Sequence, residues 1–410
     1  SYTNPYFTED GVSRGFNIFY RKTDLDEVNV ASYTTDTLGA AINFGYPIKE
    51  TERLGFSFGV SNTDISAGRF AVQEIKASPR LENDVDDWYQ STFDRDTGTY
   101  TDVEVIQAID PIDAGGLPSD YLSPPDDPGF LDLNGDSFLN YTMTTSWSQS
   151  TLNRGRMATR GAAQSVSLEV SAPGVSDLEF YKLTYRGEVF YPVPLLKSWT
   201  LRLRTELGWG DGYGDTSELP FYEHFFAGGF GSVRGYESNT LGPRSTPADQ
   251  YNVDQPVTEI DADGNATQRG GPDGDQFGYI AVKVKNPETG EEETRLVFNQ
   301  VNDNPDPFGG NILIEGGAEL LFPLPFIKDR SKLRSAFFLD MGNVFSSNCR
   351  SSQQNCFDVE DSLDELRYSV GVGVTWITGF GPMTFSLAKP LNSGEFDEEE
   401  VFQFTLGRGF

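Results

Sequence analysis

The sequence predicts an all-β protein, a transmembrane antiparallel β-barrel with about twelve strands in this chain and long acidic extracellular loops. Apolar and polar residues alternate with a period of two, which is the repeat of a β-strand. Aromatic residues stand at both ends of the apolar stripes, as Trp199 and Trp209 do, and this suits strands whose rings lie at the two interfaces of a bilayer. No apolar run approaches the ~18 residues that a spanning helix needs.

The composition argues against several other classes of protein. The 410 residues carry a formal net charge of −31, and a protein so acidic repels phosphates, so no nucleic-acid partner is expected. Aromatic residues reach 13%, which is more than an intrinsically disordered chain carries. A soluble sandwich would also alternate, but with shorter strands and fewer bracketing aromatic residues. The barrel is therefore favoured.

The strands are assigned one by one from the alternation. Within 178–191, for example, Leu183 and Tyr185 fall on one face and Lys182 and Thr184 on the other. No helix sorts residues in this way. The same pattern predicts strands at 14–24, 33–46, 53–65, 137–148, 164–172, 178–191, 198–211, 311–323, 332–345, 366–378, 382–390 and 400–410.

The connections between these strands alternate in length. Short ones at 47–52, 192–197, 323–329 and 379–381 alternate with longer ones, as periplasmic turns alternate with extracellular loops in an outer-membrane barrel. The connection 149–163 is the exception, because it is long for a turn.

Residues 66–135 and 244–308 hold most of the excess acidic residues, and the second stretch lies within a long connection at 213–310 that bears the V-R-G-Y motif. The first is expected to be an extracellular insertion and the second a long extracellular loop, both solvated by their charge. A divalent cation site is the alternative, because oxygen ligands recur at every second residue in two places: Asp132, Asn134 and Asp136, and Asp261, Asp263 and Asn265. Both lack the distal bidentate Glu of calcium loops. We therefore predict no metal and no cofactor.

The two cysteines, Cys349 and Cys356, lie in one polar loop. The compartment outside such a membrane is oxidising, so they are predicted to form a disulfide.

Motifs for catalysis are weak. Gly55, Ser57 and Gly59 spell G-x-S-x-G, but inside an alternating strand rather than at a strand-to-helix turn. His224 is the single histidine, so a Ser-His hydrolase would have to use it. We predict no catalytic residue and no enzyme.

A glycine-rich segment carries the most specific signal. Within it Val233, Arg234, Gly235 and Tyr236 match the V-R-G-[FY] loop motif of outer-membrane assembly barrels. With further matching stretches at Asn4–Ser13, Phe337–Phe345 and Phe402–Phe410, nearly the whole chain resembles the BamA family of outer-membrane β-barrel assembly proteins. TamA and the two-partner secretion transporters share the loop motif but resemble the other stretches less.

The resemblance implies that the family's proteins contain domains and strands that are not in this chain. Members of that family carry periplasmic POTRA domains followed by a sixteen-stranded barrel in a Gram-negative outer membrane. Residues 1–410 are then expected to be a partial barrel domain, strands five to sixteen, with the POTRA domains, the first four strands and the signal peptide absent.

The loop arginine is expected to seek carboxylates in the lumen, because it is a planar donor with no local partner. If Leu320 and Leu339 face lipid, the alternation turns Glu319 and Asp340 inward. By resemblance, Glu319 and Asp340 are the partners of Arg234.

The function implied is the insertion and folding of outer-membrane β-barrel proteins without nucleotide. In the last strand, Phe402 and Phe404 share a face with the terminal Phe410. Resemblance implies a kink at Gly407 that opens a seam, where a client strand pairs by β-augmentation. The implied partners are unfolded outer-membrane proteins, assembly lipoproteins bound through the POTRA domains, and outer-membrane lipids. The alternatives are a TamA-type or two-partner secretion barrel and a passive porin.

Overall fold

The fold is taken from a computed structural model of the 410-residue chain. It describes residues 1–24, 33–67, 72, 74–76, 80–81, 92–94, 99–101, 122–123, 128–155, 157–194, 196, 198–246, 257–260, 266–269, 279–285, 292–298, 305–324, 333–350, 353–357, 363–379 and 381–407.

Most of the described residues lie in strands. In chain order these are β1 Tyr2–Asn4, β2 Ser13–Asp24, β3 Tyr33–Lys49, β4 Glu52–Ala67, β5 Arg80–Leu81, β6 Thr92–Asp94, β7 Thr99–Thr101, β8 Leu122–Ser123, β9 Ser137–Ser150, β10 Gly161–Ser171, β11 Phe180–Pro192, β12 Thr200–Gly212, β13 Val257–Ile260, β14 Ala266–Arg269, β15 Tyr279–Lys285, β16 Glu292–Phe298, β17 Ile312–Phe322, β18 Leu333–Phe345, β19 Arg367–Thr378, β20 Gly381–Pro390 and β21 Phe402–Leu406.

One antiparallel sheet of 13 strands contains β1–β4, β9–β12 and β17–β21, each paired with the next in that series. All the predicted strands are in this sheet. The additional strand, β1, pairs three residues with β2, Tyr2 opposite Phe16 for example. Within the described part of the chain, β1 and β21 are the two edges of the sheet.

The sheet separates its two faces as the alternation requires. On β18, Phe337 and Leu339 are exposed, whereas Phe338 and Asp340 are buried. On β12, Leu203, Leu207 and Trp209 are likewise exposed. A sheet whose outer face is apolar and whose inner face is charged suits a lipid environment outside and a polar lumen within.

Aromatic side chains cluster near the ends of neighbouring strands. Trp199 stacks on Phe322 with ring centroids 5.2 Å apart, and Phe322 stacks on Phe337 at 4.7 Å. Toward the opposite ends of β11 and β12, Tyr181 meets Trp209 edge-on at 5.7 Å. Their placement fits rings at the two membrane interfaces.

The connection 149–163 is shorter than predicted, because β9 continues to Ser150 and β10 begins at Gly161. The residues between them fold onto Asn153, whose Oδ1 accepts hydrogen bonds from the backbone N–H groups of Thr159 and Arg160 at 3.0 and 3.2 Å. An Asn side chain that caps backbone donors in this way orders a turn without a regular hairpin.

Residues 67–135 and 245–306 form a separate compact unit. Its described elements are a four-stranded sheet in the order β14-β13-β15-β16, the pairs β5–β8 and β6–β7, and α1, Phe130–Asn134. The acidic segments therefore contain secondary structure of their own, which their composition did not predict.

The Asp132 pattern that resembled a calcium loop belongs to a helix start. The backbone N–H of Gly129 donates to Asp132 Oδ2 at 2.9 Å, as in a capping box. The second pattern, Asp261, Asp263 and Asn265, lies outside the described residues. Within the described ranges, no three His, Cys, Asp or Glu side chains are grouped to hold a metal ion.

The described helices are α1 and two 3-10 turns, Phe221–Glu223 and Leu363–Glu365. None of these is long and apolar enough to cross a membrane.

Candidate functional site

The long connection between β12 and β17 returns to the inner face of the sheet. Phe225 exchanges two backbone hydrogen bonds with Gly310, at 2.8 and 3.1 Å, and Leu241 N–H donates to Ala227 O at 3.1 Å. An apolar cluster fills the space between this loop and the wall: Phe225, Ala227, Val233, Tyr236, Leu241, Leu313 and Val344. The cluster holds the V-R-G-Y residues in place.

Arg234 lies at the centre of the site and is 1% exposed. Its Nε donates to Asp340 Oδ2 at 2.6 Å, and its Nη2 donates to Glu319 Oε1 at 2.8 Å and to Asp340 Oδ1 at 2.9 Å. The guanidinium lies over the ring of Phe338. The structure thus brings together the three residues proposed from sequence, in a planar multidentate contact that a lysine cannot reproduce.

Two further arginines, which sequence reasoning did not assign to the site, complete the network. Arg202 Nη1 donates to Glu319 Oε2 at 3.1 Å, and Arg204 Nη2 donates to Asp340 Oδ1 at 3.0 Å. Arg204 also donates to the loop itself, through Nη1 to Gly231 O at 3.1 Å. The sequence does place Arg202 and Arg204 on the charged face of β12, and that position could have identified them.

The site is a buried ion network with opposite charges in close contact. Arg202 also pairs with Glu188 at 3.1 Å, so three arginines face Glu188, Glu319 and Asp340. Desolvating such groups is costly, and the cost is offset only when every charge keeps a partner. Removal of any member is therefore expected to destabilise the loop–wall contact.

Glycines allow the loop and the wall to approach. Gly235 has φ +96°, a left-handed conformation that favours glycine, and a Cβ there would lie 3.1 Å from Ala388 Cβ. On β17, a Cβ at Gly317 would lie 2.7 Å from Asp340 Oδ1 and 2.8 Å from Arg204 Nε. Both positions require glycine because other atoms occupy the space that a side chain would need.

Tyr236 is fully buried and connects the motif to β19 and to the segment after β20. Its hydroxyl contacts the carbonyl oxygens of Asn392 at 3.2 Å and Tyr368 at 3.4 Å. Burial raises the pKa of this phenol, with the carboxylates of Asp397 and Glu399 as further causes. Tyr236 is therefore a neutral donor at physiological pH.

The disulfide loop also contacts this segment. Cys349 and Cys356 are bonded to each other. Between them, Asn355 Nδ2 donates to Gly242 O at 2.8 Å, and Gln354 O accepts from Arg244 N–H at 2.9 Å. The bonded loop therefore positions the chain that follows the motif.

The terminal strand is shorter than predicted. β21 ends at Leu406, and the next residue, Gly407, has φ +92°. Phe402 and Phe404 are exposed on the outer face. Phe410 lies outside the described residues.

A polar cavity of about 720 Å³ adjoins the ion network. Its lining includes Arg53, Gln149, Gln164, Arg186, Glu206 and Phe230. The whole lining carries five arginines and four glutamates, and among the described residues it holds no pair arranged as nucleophile and base.

His224 belongs to the packing of the loop. Its Nδ1 donates to Phe308 O at 3.1 Å, and the two rings meet edge-on. Burial lowers the pKa of His224 to about 4. A neutral imidazole bonded to a backbone carbonyl is a structural group rather than the base of a hydrolase.

Comparison with known proteins agrees with this geometry. The chain matches the model of the Omp85 superfamily domain over residues 1–410. It is 30% identical to the outer membrane protein assembly factor BamA of Neisseria meningitidis serogroup B, and the alignment covers 100% of this chain and 41% of that protein. It is 34% identical to BamA of Neorickettsia risticii over 25% of this chain and 13% of that protein.

Among solved structures, BamA from Haemophilus ducreyi lacking POTRA domains 1–3 matches with a TM-score of 0.62 and 22% identity, covering 98% of this chain and 60% of that chain. That likeness supports the fold alone. The chain thus spans less than two thirds of the length of each of these relatives.

These matches confirm two of the sequence predictions: an all-β architecture like that of a BamA barrel, and a location in the outer membrane of a Gram-negative bacterium. The V-R-G-Y motif and the alternating strands are the sequence features on which these predictions rested. The chain belongs to the Omp85 superfamily.

Proposed function

We propose that this chain is the barrel portion of an assembly factor that inserts and folds outer-membrane β-barrel proteins. The observation that carries the proposal is the docking of the loop by Arg234 on Glu319 and Asp340. The loop lies against the inner face of the sheet and is held there through buried charges. The cost of burying those charges favours a role in setting conformation over a role in conduction.

The terminal strand supplies the proposed working surface. β21 is an edge of the described sheet, and edge strands present unpaired N–H and C=O groups that a further strand can satisfy. Within a bilayer no water can replace that strand. A client strand added to β21 by β-augmentation would gain those hydrogen bonds, so the folding of the client itself supplies the free energy.

The proposed partners follow from the same scheme. Unfolded outer-membrane proteins are the clients, and outer-membrane lipids contact the apolar outer face, where Leu203 and Leu339 are exposed. Assembly lipoproteins are proposed to bind POTRA domains outside this chain. Resemblance to the BamA family supports both protein partners.

Complementation tests the proposal. The natural gene product is expressed in a Gram-negative strain depleted of its own assembly barrel, and folded client porins are measured by heat-modifiability on gels. Restored growth and restored folded porins are expected. A folded barrel that leaves client porins unfolded contradicts the proposal: ion conductance would then indicate a porin, and export of a single secreted protein would indicate a two-partner secretion barrel.

A further inference from the structure

The V-R-G-Y loop pairs with the residues that lead into the terminal strand. Glu400 N–H donates to Gly235 O at 2.9 Å, and Glu237 N–H donates to Glu398 O at 2.8 Å. The pairing is antiparallel and centred on Tyr236. The loop thus makes an isolated antiparallel bridge with the residues just before β21.

Gln403 extends this contact into β21 itself. Its neighbours Phe402 and Phe404 face outward, whereas Gln403 faces inward and is 3% exposed. Its Nε2 donates to Tyr236 O at 2.8 Å and to Glu400 Oε2 at 3.1 Å. The first inward side chain of the terminal strand is therefore bonded to the backbone of the motif.

A second contact reinforces the first. Arg244 Nη1 pairs with Glu398 Oε1 at 3.3 Å, and its Nη2 donates to Phe396 O. Arg244 is 3% exposed. The connection between β20 and β21 is therefore held by the loop at the motif and again at Arg244.

The loop spans strands that are not neighbours. Arg234 is fixed to Glu319 on β17 and Asp340 on β18. The next two residues, Gly235 and Tyr236, bond to Glu400 before β21 and to Gln403 on β21, and β21 is three strands away from β18 in the sheet order. Undocking of Arg234 would therefore pull on Gly235 and Tyr236, and through them on Gln403. Two contacts that share one short segment are expected to be energetically coupled.

We propose that the V-R-G-Y loop is a clamp on the terminal strand and that Gln403 is its positioning residue. Docking of Arg234 on the wall and pairing of β21 stabilise each other, so loss of either loosens the other. The clamp goes beyond the proposed function and can be tested without any client, so its failure is distinct from failure of the assembly role.

Amide hydrogen exchange of the natural gene product in lipid vesicles tests the clamp, with Phe402–Leu406 as the reporter strand and Ser13–Asp24 as the reference. The variants are Gln403→Leu, Gln403→Glu, Arg234→Ala and the double variant Arg234→Ala with Gln403→Leu. Thr405→Val is the control, because Thr405 lies on the same face of the same strand, further from the loop.

Gln403→Leu and Gln403→Glu are both expected to raise exchange in β21 about fivefold, since neither side chain can donate to Tyr236 O. Arg234→Ala should raise it as well, although Arg234 does not lie on β21, and the double variant should fall short of the product of the single effects. Thr405→Val and the reference strand should stay unchanged. The clamp would be overturned if β21 exchanged at the wild-type rate in Arg234→Ala. It would also be overturned if the increase in the double variant equalled the product of the two single increases. If Arg234→Ala does not fold, Arg234→Lys takes its place under the same criteria.

Discussion

The guanidinium carbon of Arg234 lies 3.5 Å from the centroid of the Phe338 ring. Both side chains are buried, at 1% and 4% exposure. A cation over an aromatic face is attracted by the ring quadrupole, and the attraction grows when water is excluded. The arginine is therefore held by carboxylates at its edge and by a ring on its face.

Phe338→Leu should weaken docking of the loop by about 1–2 kcal/mol, because the aliphatic side chain keeps the apolar contact but lacks the quadrupole. Protease cleavage within 221–246 measures loop release. Phe337→Leu is the matched control, since Phe337 is the adjacent residue and faces outward. Equal loop cleavage in the two variants would contradict a specific role of the ring.

Arg234→Ala should leave the strands assembled but release the loop, because Glu319 and Asp340 then lose their buried donor. Arg234→Lys should rescue growth only in part, since an ammonium cannot make the planar contact. Complementation of a depleted strain measures this. Arg186→Lys, at a more exposed ion pair with Glu206, should grow as wild type. Full growth of Arg234→Lys would show that planarity is irrelevant.

Replacement of both cysteines by serine should loosen the loop more than it lowers global stability. The disulfide has a sequence separation of 7, and short closures remove the least entropy from the unfolded chain. Amide exchange should rise at Arg244, because its N–H donates to Gln354 O in the bonded loop. Heat-modifiability should change little. Free thiols, found by mass spectrometry in protein isolated from the membrane, would contradict the Cys349–Cys356 disulfide.

Gly407→Val should lower activity per folded barrel. Gly407 has φ +92° and no atom within 4 Å of a Cβ built on it, so valine fits in space but disfavours the left-handed backbone. The strand should then continue past Leu406 and pair more rigidly. Gly379→Val is the control, because its surroundings are equally open and its φ is not positive. A fully folded and fully active Gly407→Val would exclude the kink from the mechanism.

Acidification should loosen the packing of His224 against Phe308. The folded-state pKa is about 4, below the ordinary 6.5, so the unfolded loop binds the proton more readily between those values. Stability is therefore complete above pH 6.5 and is lost as the pH falls toward 4. Protease protection of the loop, measured from pH 7 to pH 4.5, should fall in wild type and fall less in His224→Gln. Identical profiles for the two proteins would contradict a contribution from His224.

The alternation of side chains determined a large part of this fold. Because successive side chains of a strand point to opposite faces, the sequence alone placed Leu339 outward and Asp340 inward, and the structure agrees. The Trp199 and Trp209 pair also marked the two ends of a strand. These are local properties of an extended backbone, so they can be read without knowing which strand lies beside which.

The tertiary structure decided the partners. Arg202 and Glu319 are 117 residues apart and Arg204 and Asp340 are 136 apart, so their contacts depend on the register of β12, β17 and β18. The bond from Gln403 to Tyr236 spans 167 residues and depends on where a long loop comes to rest. Such contacts depend on how segments far apart in the sequence pack together, because the total packing free energy determines the register of the strands. A local pattern determines which face a side chain takes, and only the assembled sheet determines what it meets there.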